Sequence, residues 1–147
     1  MKYLGIDYGH KKVGFAESDD MGMLAFPMMI SENNKELLKD TIEIIKAMGF
    51  ANIVIGESLD QKGKPNKIAE EAKSFADELK DKCEELGISI KINFEKEWFT
   101  TAEARKQPDA KRDVDDAAAA LILQRYLDKI NPKKFESAEE DDTETQE

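Results

Sequence analysis

Alternating hydrophobic and polar residues predict three consecutive β-strands at the start of the chain. The three strands cover residues 2–8, 12–18 and 23–30. Gly9-His10 and the segment Asp19–Gly22 supply the turn residues between them, so the strands are expected to form an antiparallel meander. Pro27 has no N–H to donate to a neighbouring strand, which places the third strand at a sheet edge or at a bulge.

The rest of the chain alternates between helical and strand patterns. Apolar residues spaced by three and four predict helices, and short apolar runs predict two further strands. In chain order these are a helix through 38–48, a strand at 53–56, a helix over 68–86, a strand at 88–94, a short helix at 100–106 and a final helix at 114–130. The order implies an α/β protein whose mixed five-stranded sheet has three antiparallel and then two parallel strands, with helices on both faces. This element order matches the ribonuclease H-like fold.

The acidic charge of the protein is concentrated at its C-terminal end. The formal net charge of the 147 residues is −10, which argues against a nucleic-acid ligand because phosphate affinity comes mostly from Lys and Arg. Seven acids and no bases lie in residues 136–147, so we expect 133–147 to be a disordered acidic tail and 1–132 to be one domain. Without those seven, 25 acids against 22 bases leave −3, and composition no longer excludes nucleic acid.

The single cysteine, Cys83, excludes an intrachain disulfide and a cysteine-based zinc site. It lies on the apolar stripe of the second predicted helix, which indicates a core position. The chain begins with a strand pattern rather than a signal sequence, and no apolar run approaches the roughly 20 residues that span a bilayer. We therefore expect a soluble cytoplasmic protein with no membrane partner.

Acidic residues stand where the predicted strands reach one edge of the sheet. Asp7 ends the first strand, and Glu57 and Glu97 follow the fourth and fifth. Asp115 and Asp116 open the final helix, and periodicity does not choose between them. Each acid alone also fits a turn or a helix cap. Because sites gather at the carboxyl ends of parallel strands, the acids together predict a site for Mg²⁺ or Mn²⁺. Two such ions about 4 Å apart can activate water and stabilise the leaving oxygen of a phosphodiester.

Basic residues are frequent in the loops that would flank this edge. They are Lys11, Lys12, Lys62, Lys64, Lys67, Arg105, Lys106, Lys111 and Arg112. Any single one is explained by ordinary surface charge, but their grouping fits contacts to phosphates, which position a nucleic acid without reading its sequence. The candidate substrate-binding residues are Lys11, Lys12, Lys62, Lys64 and Arg105.

Several sequence blocks together resemble the YqgF/RuvX family, in the order in which the family carries them. These blocks are Leu4–Gly9, Lys11–Ala16, Val54–Gly56 with the Gly63 loop, Thr100–Ala104 and, above all, Val114–Gln124. The resemblance implies a ribonuclease H-like, metal-dependent nuclease. The family is associated with Holliday-junction resolution and with maturation of the 5′ end of pre-16S ribosomal RNA. By position, Asp7, Glu97 and Asp115, rather than Asp116, match the family's catalytic metal ligands.

The chain departs from the family pattern at two positions. Lys96-Glu97-Trp98 stands where the family commonly has Asp-Glu-Arg, so the glutamate is kept without its acidic and basic neighbours. Gly56-Glu57-Ser58-Leu59 stands where the family commonly has Gly-Leu-Pro-Leu. The related RuvC resolvases carry a glutamate on the corresponding strand. We therefore hypothesise that Glu57 compensates as a fourth metal ligand.

The sequence favours one function and leaves others open. The favoured one is a Mg²⁺- or Mn²⁺-dependent endonuclease that processes the 5′ end of pre-16S rRNA, in association with a ribosomal subunit, as a monomer or homodimer. A resolvase acting on four-way DNA would need a dimer, because a junction presents two symmetric strands. A catalytically weak nucleic-acid-binding protein is compatible with the departures around Glu97. The Gly-x-Asp-x-Gly segment also begins the phosphate loop of actin-like ATPases, but those enzymes need two such domains.

Overall fold

Five strands form one mixed sheet in the computed structural model, which describes residues 1–98 and 116–132. The strands are β1 (Tyr3–Tyr8), β2 (Lys12–Ser18), β3 (Ala25–Glu32), β4 (Asn52–Leu59) and β5 (Lys91–Trp98). Their order across the sheet is β3-β2-β1-β4-β5. β2 pairs antiparallel with both β1 and β3, whereas β4 pairs parallel with both β1 and β5. The predicted sheet of three antiparallel and two parallel strands is confirmed.

Three helices within the described residues cover the two faces of this sheet. They are α1 (Leu37–Met48), α2 (Lys67–Glu85) and α3 (Asp116–Ile130). One face packs against α1 and α2 through a large apolar core, which includes Leu4, Ile6, Phe15, Ile53, Ile55, Ile45, Phe75 and Leu79. The other face packs against α3 through a smaller cluster, which consists of Ala16, Val54, Ala119, Ile122, Leu123 and Leu127. None of the helices described is long and apolar enough to cross a membrane.

The ends of α1 and α2 follow local signals in the sequence. α1 stops before Gly49, which adopts a left-handed conformation (φ 73°) and donates its N–H to the carbonyl of Ile45. Glycine adopts this conformation without a steric penalty, and the predicted end of this helix at residue 48 is confirmed. α2 starts after Asn66, whose side-chain oxygen accepts a hydrogen bond of 3.0 Å from the N–H of Ala69. This bond satisfies one of the free N–H groups in the first turn.

β3 starts two residues later than its apolar pattern predicts. The Asp19 carboxylate accepts hydrogen bonds from the backbone N–H groups of Met23 (2.8 Å) and Leu24 (3.3 Å). These two residues therefore belong to the turn after β2, and the strand begins at Ala25. β3 is an edge strand and carries Pro27, as predicted. Its pairing with β2 also shifts between Phe15 and Ala16, so the expected bulge is present beside the edge proline.

The predicted bounds of the two parallel strands are wrong. β4 and β5 pair without interruption from Asn52 with Lys91 to Leu59 with Trp98, so β4 is longer than predicted and β5 lies further along the chain. Ile88 falls in the connection instead, because its N–H caps the end of α2 by donating to the carbonyl of Cys83 (2.8 Å). Glu57 and Glu97 consequently lie inside strands and not after them.

The remaining predictions along the chain are met in part. Cys83 is fully buried on α2, as predicted, and burial raises the pKa of its thiol. The predicted final helix is present as α3, whose described part begins at Asp116. The predicted short helix at 100–106 and the predicted tail at 133–147 lie outside the described residues.

Candidate metal and nucleic-acid site

α3 lies directly against the backbone of the sheet at two glycines. A Cβ on Gly5 of β1 would lie 2.8 Å from the Leu123 Cβ and 3.1 Å from the Ala119 carbonyl oxygen. A Cβ on Gly56 of β4 would lie 2.7 Å from the Ile122 Cδ1. Real Cβ atoms do not approach so closely, so Gly5 has no room for a side chain, whereas at Gly56 the end of the Ile122 side chain would have to move. The alanine-rich first half of α3 is thus packed closely on the sheet, at positions where the sheet carries glycine.

α3 runs antiparallel to β1. Leu123 lies over Gly5, and further along the helix the ring of Tyr126 packs against Tyr3 at the start of β1, with ring centroids 6.1 Å apart. The helix therefore starts near the carboxyl end of β1 and ends near its amino end. This direction brings the first turn of α3 towards Asp7, the next residue on the same face of β1.

Asp7 and the start of α3 lie at about the same height along the axis of β1. Asp7 is two strand residues beyond Gly5, which is about 7 Å. The same distance corresponds to between four and five residues of a helix, which counted back from Leu123 reach Ala118 and Ala119, so the first turn of α3 lies approximately level with Asp7. Asp115, the predicted final-helix ligand, directly precedes Asp116 in the sequence and lies outside the described residues.

Strand alternation places Asp7 on the face covered by α3. Successive side chains of a strand point to opposite faces. Ile6 and Tyr8, the neighbours of Asp7, pack with the core against α1 and α2. Asp7 is half-buried and therefore belongs to the opposite, α3 face, beside the start of the last helix.

Glu97 lies on the same face as Asp7. Its Oε2 is 3.6 Å from the position that a Cβ would take on Gly56, the glycine that contacts α3. β1 and β5 are the two neighbours of β4, and Asp7 comes directly after Ile6, which pairs with Ile55 of β4. Asp7 and Glu97 thus flank β4 at its only position without a side chain in this region, Gly56.

Glu57 is placed on the other face of the sheet. The pairing of β4 with β5 runs through Glu57 without a shift, so Glu57 alternates with Gly56 and shares the face of Ile55, towards α1 and α2. The hypothesis of Glu57 as a fourth ligand assumed that the strand had ended before this residue. Because the strand continues to Leu59, the structure does not bring Glu57 together with Asp7 and Glu97.

The residues present fit a hard divalent cation, although only two of the predicted ligands are described. Asp7 and Glu97 supply carboxylate oxygens, which Mg²⁺ and Mn²⁺ prefer, on the same face of the sheet. Within residues 1–98 and 116–132, no group of three or more His, Cys, Asp or Glu side chains could hold a metal ion. A complete site accordingly requires a ligand from outside these ranges, and Asp115 is the predicted one.

Comparison with known proteins identifies the family. A family model described as "RuvX: Holliday junction resolvase" matches residues 1–129. The chain belongs to the RuvX family. The resemblance carried by the sequence blocks is therefore confirmed.

Relatives and a solved structure agree with this assignment. The protein of Sulfurihydrogenibium sp. (strain YO3AOP1), named "Putative pre-16S rRNA nuclease", is 32% identical over 136 residues, which cover 88% of this chain and 92% of that protein. A protein of the same name from Ruminiclostridium cellulolyticum is 32% identical over 144 residues, covering 91% and 99%. The structure described as "T. thermophilus RuvC in complex with Holliday junction substrate" matches with a TM-score of 0.50 at 10% identity, covering 87% of this chain and 94% of that one. It supports the fold alone, and the predicted ribonuclease H-like fold is confirmed.

Two lysines of this RuvX chain lie on a hydrogen-bonded turn after β4. The Asp60 carboxylate accepts hydrogen bonds from the backbone N–H groups of Lys62 (2.8 Å) and Lys64 (3.0 Å). Gly63 has a φ of 81° and donates its N–H to the Asp60 carbonyl (3.0 Å). The turn therefore has a defined shape and presents two exposed lysines at the carboxyl end of β4. Sequence reasoning missed Asp60, although an aspartate before a glycine turn is a recognisable signal.

The other candidate lysines lie on the turn between β1 and β2. Lys11 and Lys12 are exposed, and the carbonyl of Lys11 accepts a hydrogen bond of 2.8 Å from the N–H of Asn33. This turn follows the carboxyl end of β1, which carries Asp7. Four of the five candidate substrate-binding residues thus lie at the end of the sheet where the parallel strands β1 and β4 have their carboxyl ends. The fifth, Arg105, lies outside the described residues.

An ion pair between a buried glutamate and an exposed lysine, missed by sequence reasoning, connects β5 to α3. Glu95 is only 4% exposed, and its Oε2 lies 2.7 Å from the Nζ of Lys129. Glu95 is two residues before Glu97 and so shares its face of the sheet. Burial raises the pKa of the nearby Tyr126 phenol, and Tyr3 and Glu95 raise it further. The pair ties the strand that carries Glu97 to the helix that follows Asp115.

Proposed function

We propose that this member of the RuvX family is a metal-dependent endonuclease that hydrolyses RNA and processes the 5′ end of pre-16S rRNA. The observation that carries the proposal is the placement of Asp7 and Glu97 on one face of the sheet, on either side of Gly56. The names of the relatives that match nearly their whole length support the substrate.

Asp7, Glu97 and Asp115 would hold Mg²⁺ or Mn²⁺. Such a cation supplies a Lewis acid, which lowers the pKa of water and offsets the charge that develops on a phosphodiester. The carboxylates of Asp7 and Glu97 repel a phosphate when no cation is bound, so the site binds its substrate only together with the metal. The Glu95–Lys129 pair joins β5, which carries Glu97, to the last turn of α3.

The lysine-bearing turns would hold the RNA backbone. Lys62 and Lys64 stand on the turn fixed by Asp60, and Lys11 and Lys12 stand on the turn after Asp7. Contacts of this kind give affinity that depends on salt and not on base sequence. The predicted contribution of Arg105 would add to the same backbone contacts.

RNA is favoured over four-way DNA because a resolvase must cut two symmetric strands and so must act as a dimer. A single chain with one carboxylate site is sufficient for cutting one RNA strand. This substrate places the protein in the cytoplasm at the maturing small ribosomal subunit, as a monomer or a homodimer. The description of the family model keeps the junction as the second candidate.

The test compares wild type with Asp7→Asn on a pre-16S rRNA fragment and on a four-way DNA junction, with Mn²⁺ or with EDTA. Glu57→Gln is the matched control, because it removes an equal charge from the other face of the sheet. We expect RNA cleavage by wild type and Glu57→Gln with Mn²⁺ only, and more than about a 100-fold loss in Asp7→Asn. Equal activity of wild type and Asp7→Asn would overturn the metal site, and cleavage of the junction alone would overturn the RNA assignment.

A further inference from the structure

A groove of about 370 Å³ lies beside the end of β1, on the face of the sheet opposite α3. Tyr8, the segment 33–38 between β3 and α1, and the side of α2 between Glu71 and Glu78 form its walls. The volume falls in the range of clefts that hold a small molecule, roughly 300–1,000 Å³. The nuclease site described above makes no use of this groove.

The floor of the groove is apolar and partly aromatic. Tyr8 packs against Phe75 with ring centroids 5.3 Å apart and ring planes inclined at 37°. Leu37 and Leu38 extend this surface towards α1. Tyr8 is only half-buried, so part of its side chain remains accessible from the groove. A surface of this kind suits a flat, unsaturated ring, since stacking on an aromatic side chain stabilises such a ring.

The rim of the groove is rich in hydrogen-bond acceptors. Glu71 and Glu78 contribute carboxylates, and Ser74 lies between them on α2. The side chains of Ser74 and Glu78 make no hydrogen bond or ion pair within the described ranges. Two carboxylates disfavour a phosphate group but accept hydrogen bonds from the amino and imino groups of a nucleobase. The exposed Lys35 also lines the groove, so the rim offers two carboxylates to a nucleobase and a single cation to a phosphate.

The groove adjoins the carboxylate site through consecutive residues. Asp7 and Tyr8 are neighbours in β1 and so lie on opposite faces of the sheet near its edge. The turn that follows them is anchored to the walls of the groove. His10 Nδ1 lies 3.1 Å from Glu71 Oε2, and the Asn33 side chain donates a hydrogen bond of 2.6 Å to the Gly9 carbonyl. An RNA strand that crosses this edge can present a phosphate to Asp7 and turn a neighbouring base into the groove.

We propose that the groove binds an unpaired nucleobase of the RNA strand whose phosphate lies at Asp7. The inference rests on the proposed nuclease function and deepens it. A base held within a duplex cannot enter the groove, because its Watson–Crick edge is paired and its faces are stacked. The groove thus selects RNA that is single-stranded beside the cleaved bond.

The test is a scan of RNA oligonucleotides that each lack one base. Single-stranded RNA that contains the cleavage site is labelled, and one abasic nucleotide replaces each position in turn on either side of the bond. Binding is measured by fluorescence anisotropy with Ca²⁺ in place of Mn²⁺, for wild type and Ser74→Trp. Ser74 is exposed on α2, so a tryptophan there fills the groove without entering the core. Glu78→Gln removes one acceptor of the rim, and Glu84→Gln is its matched control on an exposed part of α2 outside the groove.

We expect one abasic position to weaken binding to wild type on the order of tenfold. Ser74→Trp should bind intact RNA more weakly by a similar factor and lose its sensitivity to that abasic position. Glu78→Gln should lose part of this sensitivity, whereas Glu84→Gln should behave as wild type. The proposal would be overturned if wild type bound all the abasic oligonucleotides equally well. It would also be overturned if the sensitive abasic position weakened binding to Ser74→Trp as much as to wild type.

The two proposals fail in different ways. If no abasic position weakens binding and Asp7→Asn is inactive, base binding in the groove is contradicted while the proposed nuclease site is supported. Cleavage by Asp7→Asn at the wild-type rate would remove the nuclease site, whatever the anisotropy shows. Binding of a free nucleoside monophosphate to wild type with a flat scan would make the groove a nucleotide site unrelated to RNA, and would overturn the proposal as well.

Discussion

The two faces of the sheet are built from the same strands but from opposite kinds of residue. Towards α1 and α2, β1 and β4 present large aliphatic side chains that are fully buried: Leu4, Ile6, Ile53 and Ile55. Towards α3, the same strands present mostly small residues and a carboxylate: Gly5, Asp7, Val54 and Gly56. Because successive side chains of a strand point to opposite faces, neighbouring residues of β1 and β4 belong alternately to the apolar core and to the α3 face.

Stability comes mainly from one face of the sheet, and the candidate site lies on the other. Each fully buried aliphatic side chain stabilises the fold by about 1.5–3 kcal/mol, whereas glycine contributes no side-chain burial. The α3 face gives up this stabilisation at Gly5 and Gly56. In exchange, a helix lies close enough to bring its first turn level with the carboxylate at the end of β1. The following predictions test the comparison.

The largest effects on stability are expected at two neighbouring positions of β1, Leu4 and Gly5, when each is changed to alanine. Leu4→Ala opens a cavity in the core and should lower the free energy of unfolding by about 3 kcal/mol. Gly5→Ala adds a methyl group against Leu123 and the Ala119 carbonyl and should lower it by about 2 kcal/mol. Urea unfolding measures both changes.

Activity distinguishes these two variants further. Gly5→Ala moves α3 away from β1, so its folded form should cleave RNA more slowly than wild type. Leu4→Ala should keep wild-type cleavage under conditions in which it is folded. Wild-type stability of Gly5→Ala would show that α3 does not pack on the backbone of β1.

The next effect concerns the ion pair across the α3 face. Lys129→Met leaves the Glu95 carboxylate buried without its cation and should cost about 2 kcal/mol, less than for a fully buried pair because Lys129 is itself exposed. Lys82→Met, which removes the exposed pair of Lys82 with Glu85, is the control and should change stability by less than about 0.5 kcal/mol. The double variant Glu95→Gln/Lys129→Met should recover part of the loss. Equal stability of the two lysine variants would contradict a structural role for the pair.

A smaller effect, with a pH dependence, is expected at the turn before the edge strand. The N–H of Met23 lowers the pKa of the Asp19 carboxyl and outweighs the opposing effect of burial. The folded-state pKa thus lies below the usual 3.8, so the contribution is present above that pH and is lost as the pH falls through the folded-state pKa. Asp19→Ala should therefore lower stability at pH 7, by about 1 kcal/mol or less, and have less effect near pH 3. A difference from wild type that stays constant down to pH 3 would contradict this role.

The smallest effect concerns Cys83, which should react slowly with thiol reagents in the native protein. Cys83 is fully buried on α2, and burial raises the pKa of its thiol. Because the thiolate is the reactive form, a thiol reagent at pH 8 should label the native protein slowly and the urea-unfolded protein fast. Labelling of Cys83 in the native protein at the unfolded rate would show that the face against α1 and α2 is open to solvent.

The sequence predicted the elements of the fold better than their ends. Apolar periodicity was sufficient for the helices and for β1 and β2, because each has one buried face. The predicted start of β3 was wrong because the strand begins only after Met23 and Leu24, whose N–H groups donate to the Asp19 carboxylate. Apolar periodicity carries no information about these hydrogen bonds. The ends of β4 and β5 were wrong because parallel pairing between them extends past their apolar runs.

The same limit applies to the candidate site. The rule that sites gather at the carboxyl ends of parallel strands was enough to select Asp7 and Glu97, which the structure places on one face. It could not place Glu57, whose face depends on whether β4 continues through it. The partner of Glu95 was not predictable either, since the approach of Lys129 depends on the angle at which α3 crosses the sheet.

The position of α3 in the chain has a consequence for biosynthesis. The helix is the last described element, yet it covers strands from the beginning of the chain, and the side chain of Asn131 donates a hydrogen bond to the carbonyl of Gly22, 109 residues earlier. Contacts between such distant parts of a chain form late in folding. While the protein is being translated, β1 to β5 can emerge from the ribosome and pair before α3 is available. Until α3 has been translated, the face of the sheet that carries Asp7 and Glu97 therefore lacks the helix that covers it.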